Sequence, residues 1–220
     1  MGLSDDAAAI APPAGCDLVL KTDGIVAGVH FFPDDPPDMV AKKALRVNLS
    51  DLAAKGATPL GFLLTVALPE EVGDAWLAPF ARGLGADAQA FGCPLLGGDT
   101  DRTGGPITIS IAVIGAVPHG RMVRRAGAQA GDRVVVTGTI GDAALAREPA
   151  LIETILTGGD DYEVVACVPA GKVELLRQQA SAAGIAVTEI GVVTTGQGNA
   201  RFLDPDGQPL VFRQPSFSHF

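Results

Sequence analysis

Five acidic stations stand beside glycine, serine or threonine along this chain. They are Asp5-Asp6, Thr22-Asp23, Asp51 within Asn48-Leu49-Ser50-Asp51-Leu52, Asp99 after Gly97-Gly98, and Asp160-Asp161 after Gly158-Gly159. Short, rigid carboxylates suit hard cations such as Mg²⁺. Glycines beside them let backbone approach a phosphate or a metal closely, because no Cβ intervenes. Singly, each station reads as a turn or a helix cap. Jointly, they point to Mg²⁺ ions held between carboxylates and phosphate oxygens. Asp51 is the most telling, since its neighbours Leu49, Leu52 and Ala53 are apolar. An acid on the inner part of a helix face needs a partner, and a cation is a good one.

Other chemistries lack their residues. There is no GxxxxGK[ST], no GxSxG and no HExxH. Gly138-Thr139-Ile140-Gly141 is only a fragment of a glycine-rich turn, and His30, His119 and His219 do not cluster. Cys16, Cys93 and Cys167 are odd in number and widely spaced, which excludes a disulfide framework and fits a reduced, cytoplasmic setting. His30 sits beside Phe31 and Phe32 and, from the residues alone, reads first as a ring packed against them.

The 220 residues are 47% hydrophobic and 19% charged, with mean hydropathy +0.30, enough apolar material for a packed core. Net charge is −9. Residues 1–118 hold 7 basic and 14 acidic side chains, 12 of the acids being Asp, so the acidity is concentrated where the stations are. Nucleic acid and anionic membrane surfaces are poor partners for such a chain. With 5% aromatic residues a base-stacking surface is also disfavoured. No run reaches the roughly 18 apolar residues of a membrane span. The first ten residues carry two Asp and no base, unlike a signal peptide. The chain opens almost at once on a working motif, which predicts further residues upstream.

The elements that must position these groups follow from periodicity. Residues 17–23 (DLVLKTD) read as a strand ending in acid, and 31–37 (FFPDDPP) as a loop. Asp38 is expected to cap a helix running to about residue 55, with Ala41, Leu45, Leu49 and Leu52 as its apolar stripe and Gly56 closing it. A buried strand is expected over 60–68 and a second helix over 74–91, with Trp76, Phe80, Leu84 and Ala88 on one face. Residues 94–97 lead into Gly97-Gly98-Asp99-Thr100, and a strong strand follows over 107–117. Pro118-His119-Gly120 reads as a domain joint. Strands over 133–137, 162–168 and 185–193, a helix over 170–183 and a hairpin turn at 204–207 complete the pattern. The turn resembles the start of a Ca²⁺ loop but lacks its later ligands. The fold class is α+β, with mixed domains over 1–118 and 119–220. Residues 60–68 and 107–117 are too uniformly apolar for a solvent-facing sheet, which predicts a homodimer through the N-terminal sheet.

Ser4-Asp5-Asp6-Ala7-Ala8, Lys21-Thr22-Asp23 through Gly28-Val29-His30-Phe31, NLSDLAAKGA over 48–57, Gly97-Gly98-Asp99-Thr100, Gly120-Arg121 through Gly131-Asp132, VTGTIGD over 136–142 and GGDDYE over 158–163 occur in that order. Together they resemble thiamine-monophosphate kinases, of the superfamily of aminoimidazole ribonucleotide synthetase and selenophosphate synthetase. The resemblance implies transfer of the ATP γ-phosphoryl group to thiamine monophosphate, giving thiamine diphosphate. It implies an N-terminal α+β domain that dimerises through its sheet and a C-terminal α/β domain. Asp6, Thr22, Asp23, Asp51 and Asp99 would be Mg²⁺ ligands, with Asp51 and Asp99 central to catalysis. Gly98 and Arg125 would contact ATP, and His30, Asp160 and Phe217 the thiamine substrate. Arg125 also reads as part of a solvated loop, and Phe217 as a core anchor. The alternatives are a related ATP-dependent synthetase, disfavoured by His30-Phe31 and by the lack of a reactive N-terminal cysteine, or a non-catalytic Mg²⁺/nucleotide-binding relic.

The sequence departs from the family pattern at four places. Lys21 replaces a small hydroxyl residue and would weaken or replace one metal site. Ser4 takes a usual glycine position, and little precedes Asp5-Asp6. Gly141-Asp142 runs almost directly into Gly158, where the family carries a long, largely helical segment with a DxSDGL motif. The junction falls within about residues 143–155.

Overall fold

The structure, a computed structural model, describes residues 7–139, 163–196, 198, 200–204 and 206–212. It divides into two compact units, Met1–Arg124 and Arg125–Phe220. Each is a mixed α/β arrangement of sheet and helix.

In the first unit, β1 (Cys16–Val26), β2 (Thr58–Leu68), β3 (Leu95–Arg102) and β4 (Thr108–Pro118) form one sheet in the order β1-β4-β2-β3. The β2–β3 pair is parallel and the other pairs are antiparallel. Alternation sets which residues face inward. Val19 and Ile25 of β1 and Ile109, Ile111 and Val113 of β4 are buried. They meet helix α1 (Pro37–Ala54), whose expected stripe of Ala41, Leu45, Leu49 and Leu52 lies in the same core. Helix α2 (Asp74–Ala90) adds Phe80 and Leu84, with Trp76 and Ala88 partly buried beside them.

Two local readings change. Pro36, not Asp38, occupies the N-cap of α1, with Pro37 next and no side-chain cap. Proline is already set for the first helical turn and lacks the N–H a cap would satisfy. Asp38 lies in that first turn and meets Lys42 at 3.5 Å. The Gly97–Thr100 stretch belongs to an edge strand rather than a turn. At the other end of α1 the expected closure holds. Gly56, at φ +69°, donates to Ala53 O and Ala57 to Leu52 O, a Schellman pair.

Helices α1 and α2 are joined by one charged contact. Arg46 Nε and Nη2 donate to Asp87 Oδ2 and Oδ1 at 2.6 and 2.9 Å. Asp87 is buried, and the Arg46 guanidinium also lies over the Phe91 ring. The Asp87 hydrogen bonds hold the guanidinium above its ordinary pKa, against a smaller opposing effect of burial. At the sheet's exit, Asp17 accepts from Gly120 N–H at 2.8 Å and shares a 2.7 Å bond with the His119 ring. The Gly120 bond and then the His119 ring hold the Asp17 carboxyl below its usual range.

In the second unit, β5 (Arg133–Thr137) lies between β6 (Val165–Val168) and β7 (Val187–Val192), all antiparallel, with α3 (Val173–Ala182) between β6 and β7 in sequence. The Thr137 hydroxyl donates to Glu163 Oε2 at 2.6 Å and accepts from Val164 N–H. The hairpin turn forms around Asp204, whose carboxylate accepts from Asp206 and Gln208 N–H.

Replacing Asp87 by Ala should lower unfolding free energy by about 1.5–3 kcal/mol, the range for hydrogen bonds to a charged group. Asp87→Asn should fall between parent and Ala. Urea unfolding measures both; an unchanged midpoint in Asp87→Ala would remove this contact from the fold's support.

Candidate functional site

The seam between β1 and α1 collects the charged groups. Lys21 and Asp23 stand at every second residue between Val19 and Ile25, so all four project to the helix-covered face of β1. Asp51 comes to the same place from α1, one turn after Asn48. Lys21 Nζ lies 2.8 Å from Asp51 Oδ2 and 3.1 Å from Asp23 Oδ1, bridging the two carboxylates. Partial burial pulls the Lys21 ammonium down, but the hydrogen bonds and charges of Asp51 and Asp23 outweigh it, and its pKa lies above the ordinary value. The cation required by an acid on the inner helix face is thus a lysine of the same chain. Asn48, fully buried, donates to Ala44 O at 2.9 Å, and its Oδ1 has no hydrogen-bond partner among the described residues.

Thr22 and Asp99 lie elsewhere. Thr22 points to the opposite, open face of β1, beside Leu18 and Leu20. Asp23 is in line with Ile111, Leu64 and Gly98 across the sheet. Three strand spacings, about 14 Å, separate the ends of that row. Asp99, one residue on, is paired with Thr65 on the open face, and its Oδ1 accepts from Thr100 N–H at 2.8 Å. Within one chain Asp23 and Asp99 are too far apart to bind one ion, since Mg²⁺–oxygen bonds are about 2.0–2.1 Å. No group of three or more His, Cys, Asp or Glu side chains is close enough to hold a metal among the described residues. The Asp23–Asp51 donor chemistry, hard carboxylate oxygen, fits Mg²⁺; the point midway between them carries an ammonium.

The β1–α1 connection fixes His30. Gly28 takes φ +78°, and Val29 and His30 N–H both donate to Val26 O. The Val26 N–H donates to His30 Nδ1 at 3.1 Å, which assigns the proton of the neutral ring to Nε2. Lys43 of α1 donates to His30 O. Phe31 is buried in the core and Phe32 is exposed, so the two aromatic neighbours have different environments.

Gly98 has a packing reason of its own. A Cβ there would run into the Leu64 carbonyl, whereas one on Gly97 would meet only Leu63 Cδ2 at 3.6 Å. Arg125 is exposed, at the start of the second unit. Asp6, Asp160 and Phe217 lie outside the described residues. Sequence reasoning assigned no role to Glu163 or Thr137. Their signal was that VTGTIGD and GGDDYE each contribute one partner to the same hydrogen bond.

This arrangement of sheet, helices and edge glycines matches a known class. Residues 4–117 match the family model described as AIR synthase related protein, N-terminal domain. A thiamine-monophosphate kinase of Caulobacter vibrioides is 33% identical over 280 aligned positions, covering 90% of this chain and 80% of that one. Those positions outnumber the 220 residues here, so the alignment opens long gaps in this chain. The crystal structure of the Stenotrophomonas maltophilia K279a thiamine-monophosphate kinase superposes with TM-score 0.79 at 27% identity, covering 96% of this chain and 92% of that one. AaThiL, complexed with AMPPCP and TMP, matches with TM-score 0.57 at 34% identity over 65% of this chain and 45% of that one. The chain belongs to the thiamine-monophosphate kinase family. It spans most of the Caulobacter and Stenotrophomonas proteins and under half of AaThiL.

Gly98→Ala should destabilise the chain by about 1–3 kcal/mol without nucleotide, through overpacking against Leu64, while Gly97→Ala should stay near the parent. Thermal unfolding of both tests this. Equal melting temperatures would leave Gly98 to a ligand alone.

Proposed function

We propose that this chain phosphorylates thiamine monophosphate with ATP, giving thiamine diphosphate and ADP. The observation that carries the reading is that one continuous β1–loop–α1 unit fixes Asp23, His30 and Asp51 on consecutive segments, each tied by named hydrogen bonds or ion pairs. Phosphoryl transfer needs positioning and charge neutralisation more than a covalent intermediate. Asp6, Thr22, Asp23, Asp51 and Asp99 are assigned to Mg²⁺, with Asp99 serving a different ion from Asp23 within one chain. When bound, Mg²⁺ supplies charge neutralisation on the transferring phosphate oxygens. Gly98 and Arg125 are assigned to ATP, and Asp160 and Phe217 to the thiamine end. His30 Nε2–H is the donor to the acceptor phosphate. Residues 1–118 act as the metal, nucleotide and dimerisation domain, and 119–220 as the α/β domain. A cytoplasmic setting and the absence of nucleic-acid and membrane partners belong to the same reading.

The first unit's open sheet face supports a homodimer. Leu18, Leu20 and Leu63 are 39%, 73% and 41% exposed on it, where an outward face would ordinarily be polar. Light scattering at micromolar concentration should give twice the chain mass, and Leu20→Asp should give the single mass. A parent that is already monomeric would overturn the dimer.

The short connection between Asp142 and Gly158 favours one second reading, a relic that binds MgATP without turnover. Formation of thiamine diphosphate from thiamine monophosphate and ATP decides between them, and nucleotide binding without product would select the relic. His30→Ala should weaken thiamine monophosphate binding roughly ten- to a hundredfold, the loss of one charge-assisted hydrogen bond, and leave MgATP affinity unchanged. His30→Asn retains an acceptor for Val26 N–H and separates the loop's integrity from recognition. Calorimetric titration of each ligand reads the difference; equal losses for both ligands would move His30 to the nucleotide site or the fold.

A further inference from the structure

Lys21 occupies a position that a metal ion would compete for. It shares the helix-covered face of β1 with Asp23, two residues on, while Asp51 reaches the same point from α1. Its ammonium touches one oxygen of each carboxylate, Asp51 Oδ2 at 2.8 Å and Asp23 Oδ1 at 3.1 Å. All three side chains are partly exposed, between 31% and 43%, so the pair is open to solvent cations as well. Mg²⁺ would need both oxygens at about 2.0–2.1 Å. The carboxylates are held at ammonium spacing, each roughly an ångström too far for a shared Mg²⁺.

We propose that Lys21 is a built-in counterion that takes the place of one divalent cation between Asp23 and Asp51, so that the metal cluster of this chain is one ion smaller than its carboxylates alone would hold. A side chain that cannot leave sets the β1–α1 seam before any ligand arrives. Unlike an ion, it is not lost to a chelator. Each carboxylate has a second oxygen and can still serve a neighbouring ion. A serine or threonine at position 21 is too short to reach between two carboxylates and carries no charge. With such a residue two anions would face each other, and a solvent cation would be drawn between them.

The inference rests on the kinase reading for its setting, and the test does not depend on turnover. Mn²⁺ is counted per chain by electron paramagnetic resonance with AMPPCP at saturation, in the parent, Lys21→Thr, Lys21→Arg and Lys21→Thr/Asp51→Asn. Lys21→Thr should bind one more Mn²⁺ than the parent, Lys21→Arg the same number as the parent, and the double variant should lose the added ion. Equal counts in the parent and Lys21→Thr overturn the proposal. If Lys21→Thr does not fold, the parent decides. With ¹⁵N-labelled lysine, assigned through Lys21→Arg, the Lys21 ammonium should keep its slow proton exchange at saturating Mg²⁺ and AMPPCP, as an ion-paired group does. Exchange as fast as that of a solvated lysine would show that metal evicts it. A parent that makes no thiamine diphosphate defeats the kinase reading and leaves the ion count standing.

Discussion

The seam where helix α1 lies on strand β1 governs the arrangement of this protein's chemistry. The helix is held by Ala41, Leu45, Leu49 and Leu52, four side chains at helical spacing that are buried in the core. Once that stripe is down, the residues at its margin have no freedom to choose their surroundings. Asp51, one residue before Leu52, must come out at the edge of the sheet, over β1. An uncompensated acid there would cost stability, and the partner supplied is Lys21, with Asp23 sharing it. The His30 loop is tied to the same seam, because Lys43 of α1 holds its carbonyl and Val26 of β1 holds its ring. Loosening the stripe would therefore disturb the acids and the imidazole together.

The faces of the sheet then sort the acidic stations among the described residues into two populations. Asp23 and Asp51 belong to the helix-covered face, Thr22 and Asp99 to the open one. The sheet order adds lateral separation, with two strands between β1 and β3. A single compact cluster of Asp23, Asp51 and Asp99 is incompatible with this geometry inside one chain. Several ions in distinct positions, some shared with phosphate oxygens, are compatible with it. The glycines of β3 serve both demands. Gly98 lets the strand lie against Leu64, and the same lack of a side chain leaves the edge accessible.

Much of this was readable from residue types. The α1 stripe, the Gly56 stop and the existence of a strand at β4 follow from residue types and spacing, whereas the alternating burial of β4 emerges only from its packing against α1. What escaped was set by longer-range geometry. The Arg46–Asp87 bond joins residues 41 apart, and no local pattern announces it. The Gly97–Thr100 segment looks like a turn because two adjacent glycines usually make one, yet pairing with β2 holds it extended. In the sequence Lys21 reads as weakening or replacing one metal site, and Asp51 as an acid in want of a cation. Period-two alternation places Lys21 and Asp23 on one face, and only the packing of α1 shows that Asp51 meets them there.

Charge balance gives these contacts a common cause. Residues 1–118 carry twice as many acids as bases, 14 against 7. Five of the seven bases are already committed. Lys21 serves Asp23 and Asp51, Lys42 serves Asp38, and Arg46 serves Asp87. Lys43 holds the His30 carbonyl, and Arg102 holds those of Pro69, Glu70 and Val72. A unit that spends its cations on its own carboxylates and carbonyls has little positive charge left to offer a triphosphate. Bringing ATP to such a surface calls for charge from outside residues 1–118, which is the physical reason a divalent cation joins Arg125 in the proposed reaction. It is also the reason one internal lysine can matter so much. Where the protein supplies a cation itself, at Lys21, the carboxylates are balanced by the fold. Under the proposed function, the balance at Asp99 is left to a solvent ion, and that is a position through which a phosphate would be recruited.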